Sequence, residues 1–148
     1  MTASRTSRVE RSRSALIVLW VAQIAVAFLV LLTGASKLAS APAMVVEFDA
    51  IGVGQWFRYA VGSTEAASAV LLAIPSLAAF GALLLVPVMI GAVAVHLFIL
   101  GGSPVPAMVV LVVSSGIAWA RRERFASVVT RLRSKVRSAS EEAAGIRW

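Results

Sequence analysis

Hydrophobic residues divide the chain into four long apolar segments, separated by shorter polar or mixed stretches. The segments cover about residues 15–39, 56–74, 77–100 and 104–120. Each is close to the roughly 20 apolar residues that an α-helix needs to cross the ~30 Å hydrocarbon core of a bilayer. Too few residues remain to build a soluble domain. The pattern therefore predicts a four-span transmembrane domain over residues 15–120, with a tail at each end, residues 1–14 and 121–148.

Small and polar residues recur at helical spacing along two of these segments and predict how the helices pack. In the first segment, a stripe with steps of three and four residues contains Trp20, Gln23, Ala27, Val30, Gly34 and Lys37. The second segment carries a face of small residues, Gly62, Ala66 and Ala69. Small residues let helix backbones approach closely, so we expect Gly34 and this small-residue face to lie between helices. The predicted fold is all-α, an integral membrane four-helix bundle.

The composition agrees with a membrane protein and narrows its chemistry. Of the 148 residues, 59% are hydrophobic and only 14% are charged, against roughly 25% charged residues in soluble domains. The chain has no cysteine, which excludes thiol catalysis, disulfides and cysteine-based metal or iron–sulfur sites. Its single histidine, His96, does not supply the three or four donors that zinc and iron sites need. No metal site is predicted.

The distribution of charge predicts the orientation of the spans and the surface that the chain contacts. Both tails are rich in arginine, whereas the connection over residues 40–55 carries Glu47 and Asp49. Basic flanks stay in the cytoplasm, which places both termini there and requires an even number of spans. The net charge of +7 also raises nucleic acid as a partner. No basic motif interleaved with aromatic residues is present, so we expect anionic lipid of the inner leaflet instead.

The basic residues near the membrane surface carry further predictions. Residues 125–136 repeat apolar positions at helical spacing, which predicts an amphipathic helix on the inner leaflet; a frayed basic tail is the alternative. The residues predicted to contact the lipid surface are Arg121, Arg122, Arg124, Arg131 and Lys135. Arg58, beside the aromatic residues that open the second segment, is expected to reach the headgroups.

The first apolar segment also resembles a signal peptide, but it is longer than the usual ~7–15-residue hydrophobic region, so we expect it to be retained.

Three ionisable residues interrupt the spans, namely Lys37, Glu65 and His96. The predicted orientation places them in the outer half of the membrane, with Glu65 at a depth of ~13 Å. A charge near the centre of the bilayer costs roughly 2.5–3.5 kcal/mol and usually faces a partner inside the bundle. Helix side chains lean toward the N-terminus of their helix, so Lys37 and Glu65 lean toward each other. A glycine three residues before each charge favours close approach, and we predict a Lys37–Glu65 contact or a shared water.

Several roles are compatible with these residues. The pair of Lys37 and Glu65 forms a ligand or proton site, or it only fixes the register of the helices. A third alternative is a protonated Glu65 that is simply hydrogen-bonded. Taken alone, His96 is most simply a polar group that bonds a backbone carbonyl between helices.

Four stretches of the sequence resemble the DoxX-like family of small bacterial membrane proteins. The stretches are TGASKLAS (33–40), FDAIGVGQW (48–56), VGSTEAASAVLLAIP (61–75) and MIGAVAVHLFILG (89–101). The resemblance implies a four-helix transmembrane bundle in the bacterial plasma membrane, over about residues 15–121. It also implies a link to respiratory or redox complexes, since the family is named after a subunit of a thiosulfate–quinone oxidoreductase. The family's polar positions correspond to Lys37, Glu65 and His96. Many relatives have an arginine in the first helix, where this chain offers Gln23.

Two expectations for function follow. The one we favour is a non-catalytic or small-lipophile-binding subunit of a membrane redox system, with Lys37, Glu65 and His96 as candidate ligand or proton sites and Gln23 as a further candidate. A quinone is the cofactor that this interpretation suggests, and a redox enzyme or a second copy of the chain is the expected partner. The alternative is a structural or anchoring membrane protein whose polar residues only fix helix packing. The sequence indicates neither the presence nor the absence of an enzymatic activity.

Overall fold

The computed structural model describes residues 3–122, 130 and 133–140, with side chains from residue 13 onwards. In this part of the chain every regular element is a helix. In chain order the helices are α1 (Ala3–Leu38), α2 (Pro42–Ile51), α3 (Gln55–Ala73), α4 (Ala78–Val95) and α5 (Val105–Ala120), and a π-helical segment (His96–Leu100) continues α4. The prediction of an all-helical fold is therefore confirmed for the described residues.

Two of these helices have the length and composition of membrane spans. They are Arg13–Leu38, the apolar part of α1, and Ala78–Leu100, which joins α4 and the π-helical segment. Helix α5 is also apolar but shorter. The outer faces of these helices are hydrophobic, and the side chain of Phe98 is 85% exposed. A helix that is apolar on its outer face as well as its inner one is typical of a protein that sits in lipid.

The helices pack in a fixed order around a small apolar core. Helix α1 lies against α3, α3 against α4, and α4 against α5, while α5 also contacts α1. Helix α2 lies across one end of this arrangement, in contact with α3 and the π-helical segment. The largest fully buried apolar side chains are Val30, Leu72, Leu85 and Ile117, one from each long helix. Each long helix therefore contributes its small or aliphatic stripe to one shared interior.

Glycine sets the distance between α1 and α3. A Cβ atom added at Gly34 would lie 3.0 Å from the carbonyl oxygen of Gly62, and one added at Gly62 would lie 2.9 Å from Cβ of Lys37. The backbones approach this closely because neither position has a side chain. Gly34 lies beside Gly62 while Gln23 lies beside Leu72, so the two helices run antiparallel. The small residues Ala66 and Ala69 continue the same side of α3, and Ala69 is buried.

The ends of α1 and α2 follow from local backbone preferences. Pro42 follows a break at which Ser40 adopts a left-handed conformation (φ 56°), and Pro42 then occupies the first turn of α2. Proline is well placed there because its missing N–H is not needed. Helix α2 ends at Gly52, whose φ of 77° is left-handed and whose N–H bonds the carbonyl of Asp49. These two breaks turn α2 back over the ends of the long helices.

The basic residues after α5 differ from the sequence expectation in one respect. Arg121 was predicted to contact the lipid surface, but its side chain is only 5% exposed. Its guanidinium donates a hydrogen bond to the carbonyl oxygen of Pro75 (3.2 Å) and lies 5.5 Å from the ring centre of Trp20. Arg121 is buried because it connects the end of α5 to the α3–α4 turn and to α1. A guanidinium that is buried between the α3–α4 turn and α1 is not free to contact lipid headgroups.

The other basic residues of this end divide into two groups. Arg122 is exposed beside the ring of Trp119, and Lys135 is exposed in a helical stretch over residues 133–140. Arg124 and Arg131 lie outside the described residues, as does most of the predicted amphipathic stripe over residues 125–136. Lipid contact by this end of the chain stays a prediction.

Candidate functional site

A lysine on α1 and a carboxylate on α3 form an ion pair inside the protein. Nζ of Lys37 lies 2.8 Å from Oε2 and 3.1 Å from Oε1 of Glu65. The side chains are 12% and 3% exposed, respectively. The contact predicted from the sequence is therefore present. Both charges are largely removed from solvent, so the pair requires good geometry to offset its desolvation.

Thr33 supports the carboxylate from the preceding turn of α1. Its Oγ1 lies 3.2 Å from Oε2 of Glu65 and 3.1 Å from the carbonyl oxygen of Val30. A hydroxyl has one proton, so it donates to one of these two acceptors at a time. Thr33 was not singled out from the sequence. Its position four residues before Lys37, on the same side of a helix, is the signal that predicts such a role.

Two cavities flank the ion pair. The larger, of about 410 Å³, lies between α2, α3 and α4, and the smaller, of about 270 Å³, lies between α1, α4 and α5. The apolar lining of the larger cavity includes Phe48, Ile51, Phe57, Val61, Val88 and Val95. Four polar residues line both cavities, namely Lys37, Glu47, Glu65 and His96. The two cavities therefore have mainly apolar linings and share one group of four polar residues.

His96 begins the π-helical segment and faces both cavities. Its Nδ1 lies 2.8 Å from the carbonyl oxygen of Ala92, one turn earlier in the same helix. The alternative in which His96 bonds a backbone carbonyl is thus what the structure shows, although the carbonyl belongs to its own helix. The histidine makes no direct hydrogen bond with Lys37 or Glu65, but it borders the same cavities. π-Helical segments occur frequently at functional sites.

Arg58 lies inside the protein and not at the headgroups, so the expectation of snorkelling was wrong. Its side chain is 2% exposed. The guanidinium donates hydrogen bonds to the carbonyl oxygen of Lys37, to Oγ of Ser40 (3.0 Å) and to Oε1 of Gln55 (2.6 Å). It also lies 4.2 Å from the ring centre of Tyr59. Arg58 is buried because these acceptors surround it, and it caps the C-terminal end of α1 directly behind Lys37.

Glu47 is a site residue that the sequence did not reveal. It sits on α2 next to Phe48, which is buried against α3. Its carboxylate has no hydrogen-bond or ion-pair partner among the described residues. The sequence shows only an acidic residue in a connection, which is usually solvated. The fold brings it to the cavities because α2 turns back over the long helices.

Gln23 is the candidate that the structure does not bring to the site. It lies fourteen residues before Lys37 on α1, roughly 21 Å along the helix axis. Its Nε2 donates to the carbonyl oxygen of Leu72, and its side chain is fully buried. Gln23 therefore joins α1 to α3 near their other ends, where it borders neither cavity. No three His, Asp or Glu side chains within the described residues are grouped so as to hold a metal ion.

Within the described residues the chain is all-helical, with two helices long and apolar enough to span a membrane, apolar outer faces and a buried ion pair beside two cavities. A family model described as the DoxX-like family matches residues 21–120, more than half of the chain. The chain belongs to the DoxX-like family, which confirms the resemblance seen in its motifs. No curated protein and no solved structure shows a significant match.

Proposed function

We propose that this protein is a four-span subunit of a membrane redox system that binds a small lipophilic molecule of the quinone type. The molecule occupies the larger cavity, with its polar ring group at the Lys37–Glu65 pair. Helices α1, α3, α4 and α5 span the bacterial plasma membrane, and both termini lie in the cytoplasm. The observation that carries this proposal is the buried ion pair in the wall of an apolar cavity.

The size and lining of the larger cavity favour a ligand of this kind. Small-molecule sites usually have volumes of roughly 300–1,000 Å³, with apolar walls and a few polar groups that fix orientation. The cavity has about 410 Å³ and matches that description. Phe48 and Phe57, whose ring centres are 5.9 Å apart, supply aromatic surface for a planar ring. An apolar chain attached to such a ring has lipid and further apolar lining to occupy.

The position of the charges supports binding over a purely structural role. An ion pair that only fixes packing is best enclosed on all sides by protein, because any cavity beside it leaves the charges without contacts. Here both Lys37 and Glu65 line open volume on two sides. The Lys37 ammonium has three N–H groups, and two hydrogen-bond contacts join it to Glu65, which leaves one N–H group without an acceptor. A donor is therefore available to a ligand oxygen.

Direct binding measurements test the proposal. The protein is purified into lipid nanodiscs and titrated with decylubiquinone, with quenching of tryptophan fluorescence and calorimetry as independent readouts. We expect saturable binding that weakens by about tenfold or more in Lys37→Met and in the double variant Lys37→Met/Glu65→Gln. This expectation follows because a hydrogen bond to a charged group contributes roughly 1.5–3 kcal/mol.

Gln23→Leu is the matched control for this experiment. It removes a buried polar contact between the same two helices without touching either cavity. We expect it to lower stability and to leave the affinity for decylubiquinone unchanged. Absence of saturable binding by the native protein contradicts the proposal. Equal binding by the native protein and the double variant assigns the ion pair to helix packing alone.

The redox association is tested separately in membranes. Cells that lack the protein are compared with cells that carry the native chain or the double variant Lys37→Met/Glu65→Gln. We expect the rate of quinone reduction by isolated membranes to fall without the protein and to be restored by the native chain only. Restoration by the double variant would separate the redox role from the ion pair.

A further inference from the structure

The polar groups around the cavities differ in whether they can donate a hydrogen bond to a ligand or accept one from it. Lys37 is a donor, since an ammonium has no lone pair. Its two hydrogen-bond contacts go to Glu65, and Lys37 lines both cavities, so its third N–H is left for a ligand. Glu65 is occupied by Lys37 and, at Oε2, by Thr33. The ion pair therefore presents a hydrogen-bond donor to the larger cavity and little free acceptor capacity.

His96 adds an acceptor to the lining of the same two cavities. Its Nδ1 lies 2.8 Å from the carbonyl oxygen of Ala92. A carbonyl oxygen only accepts, so Nδ1 must carry the proton in that hydrogen bond. In the neutral ring the other nitrogen, Nε2, then holds a lone pair. Nε2 has no partner among the described residues.

Glu47 provides a second acceptor beside the histidine. Its carboxylate lines the same two cavities and makes no hydrogen bond with any described residue. An ionised carboxylate is an acceptor only. The ionisable groups around the histidine are thus Lys37 from α1, Glu47 from α2 and Glu65 from α3, while the cavity lining from α5 is apolar. The lining therefore offers one donor group, the Lys37 ammonium, and two acceptors that have no donor among the described residues.

We infer that the site selects a lipophile with a hydroxyl headgroup, a phenol or hydroquinone, over the corresponding carbonyl or ether. This inference rests on the proposed function and specifies its ligand. A hydroxyl oxygen accepts from Lys37 and donates its proton to Nε2 of His96 or to Glu47. A quinone carbonyl or a methyl ether accepts from Lys37 but leaves both acceptors unpaired. Sites that bond a hydroxyl group discriminate against analogues that lack it, because their own polar groups then lose a partner.

The sharpest test compares two ligands that differ only in that proton. Binding of 4-nonylphenol and 4-nonylanisole to the native protein in nanodiscs is measured by calorimetry. We expect the phenol to bind about tenfold or more tightly. Equal or weaker binding of the phenol overturns the inference and leaves the proposed function standing. Absence of saturable binding by both ligands also overturns the inference, and it contradicts the proposed function only if decylubiquinone fails to bind too.

Substitutions test whether His96 and Glu47 cause the preference for the phenol over the anisole. His96→Phe keeps a ring of similar size without an acceptor, and together with Glu47→Leu we expect it to bind both ligands equally. His96→Gln restores an acceptor oxygen and is expected to recover part of the preference. Phe98→Ala, on the same π-helical segment but 85% exposed and outside both cavities, is the control and is expected to change neither affinity. A full preference in the His96→Phe/Glu47→Leu variant overturns the assignment to these residues.

A spectroscopic readout reports the contact itself. The chain has a single histidine, so ¹⁵N-histidine labelling gives one pair of imidazole signals. We expect the free protein to show the tautomer protonated at Nδ1. The phenol is expected to shift the Nε2 resonance, and the anisole is not. A proton at Nε2 in the neutral ring, or equal shifts with both ligands, contradicts the inference even if the variants fail to fold.

Discussion

Gly34 of α1 and Gly62 of α3 face each other so closely that a Cβ atom on either would meet backbone atoms of the opposite helix at 3.0–3.1 Å. Each glycine stands three residues before a charge, Lys37 on one helix and Glu65 on the other. The close approach of α1 and α3 and the Lys37–Glu65 ion pair therefore depend on the same pair of glycines. The glycines bring the helix axes within range, and the pair then spans the space beside them.

Alanine at Gly62 is expected to destabilise the protein by ~1–3 kcal/mol, because the added methyl overpacks the contact with Lys37 and Leu38. The midpoint of detergent-induced unfolding, followed by circular dichroism, measures the effect. Gly116→Ala is the matched control, since nothing lies within 4 Å of its added Cβ. Alanine is a better helix former than glycine by roughly 1 kcal/mol, so the control is expected to be neutral or stabilising. Equal changes in stability in Gly62→Ala and Gly116→Ala would show that the close approach of α1 and α3 does not contribute to stability.

Removing one partner of the ion pair is expected to cost more than removing both. Glu65→Leu leaves Lys37 without its counter-charge in a largely buried position, and we expect a loss of ~3–5 kcal/mol. Lys37→Met/Glu65→Leu removes both charges and is expected to recover most of that loss. A double-mutant cycle on the free energy of unfolding measures the coupling. Additive effects of the two substitutions would contradict a direct interaction in the folded protein.

Arg58 is expected to be more important for stability than its place near a helix end suggests. Arg58→Met leaves the carbonyl of Lys37 and the side chains of Ser40 and Gln55 without their donor. We expect a loss of ~2–3 kcal/mol and faster hydrogen exchange around residues 38–42. Arg122→Met, at an exposed arginine beside a single tryptophan ring, is the control and is expected to stay within about 0.5 kcal/mol of the native protein. Unchanged exchange around residues 38–42 in Arg58→Met would argue against the capping role.

The proposed orientation is tested with reporter fusions. Alkaline phosphatase fused after Gly102, between α4 and α5, is expected to be active because the proposed topology places that connection in the periplasm. Green fluorescent protein fused after Arg122 is expected to fluoresce, because the basic flank keeps this end in the cytoplasm. The reverse pattern would place Lys37 and Glu65 on the inner side of the membrane. Phosphatase activity with that reporter placed after Gly102 and, in a second fusion, after Arg122 would locate both positions in the periplasm and show that α5 does not cross the membrane.

Much of the ion-pair site could be predicted because it depends on local rules. Lys37 and Glu65 each follow a glycine by three residues, and side-chain lean in antiparallel helices then directs the two charges toward each other. These rules need only sequence spacing and the direction of each helix. The break before Pro42 followed in the same way from the restricted backbone of proline and of the residue before it.

The sequence did not predict the positions of three charged side chains, those of Arg58, Arg121 and Glu47, and the reason is the same for all three. Their surroundings come from residues far away along the chain. Arg58 is held by a carbonyl 21 residues earlier, and Arg121 by one 46 residues earlier. A basic residue at the end of an apolar segment has the same sequence pattern whether it reaches headgroups or caps a distant helix.

The sequence by itself determined the four long apolar helical segments, the membership in the DoxX-like family and the pairing of Lys37 with Glu65. These depend on hydrophobic length, on motif order and on spacing within single helices. Only the tertiary structure decided that the pair divides two cavities, that Glu47 joins His96 at their lining, and that Gln23 lies far from both. A cavity is the volume left between helices after they pack, and no local pattern of residues encodes that volume.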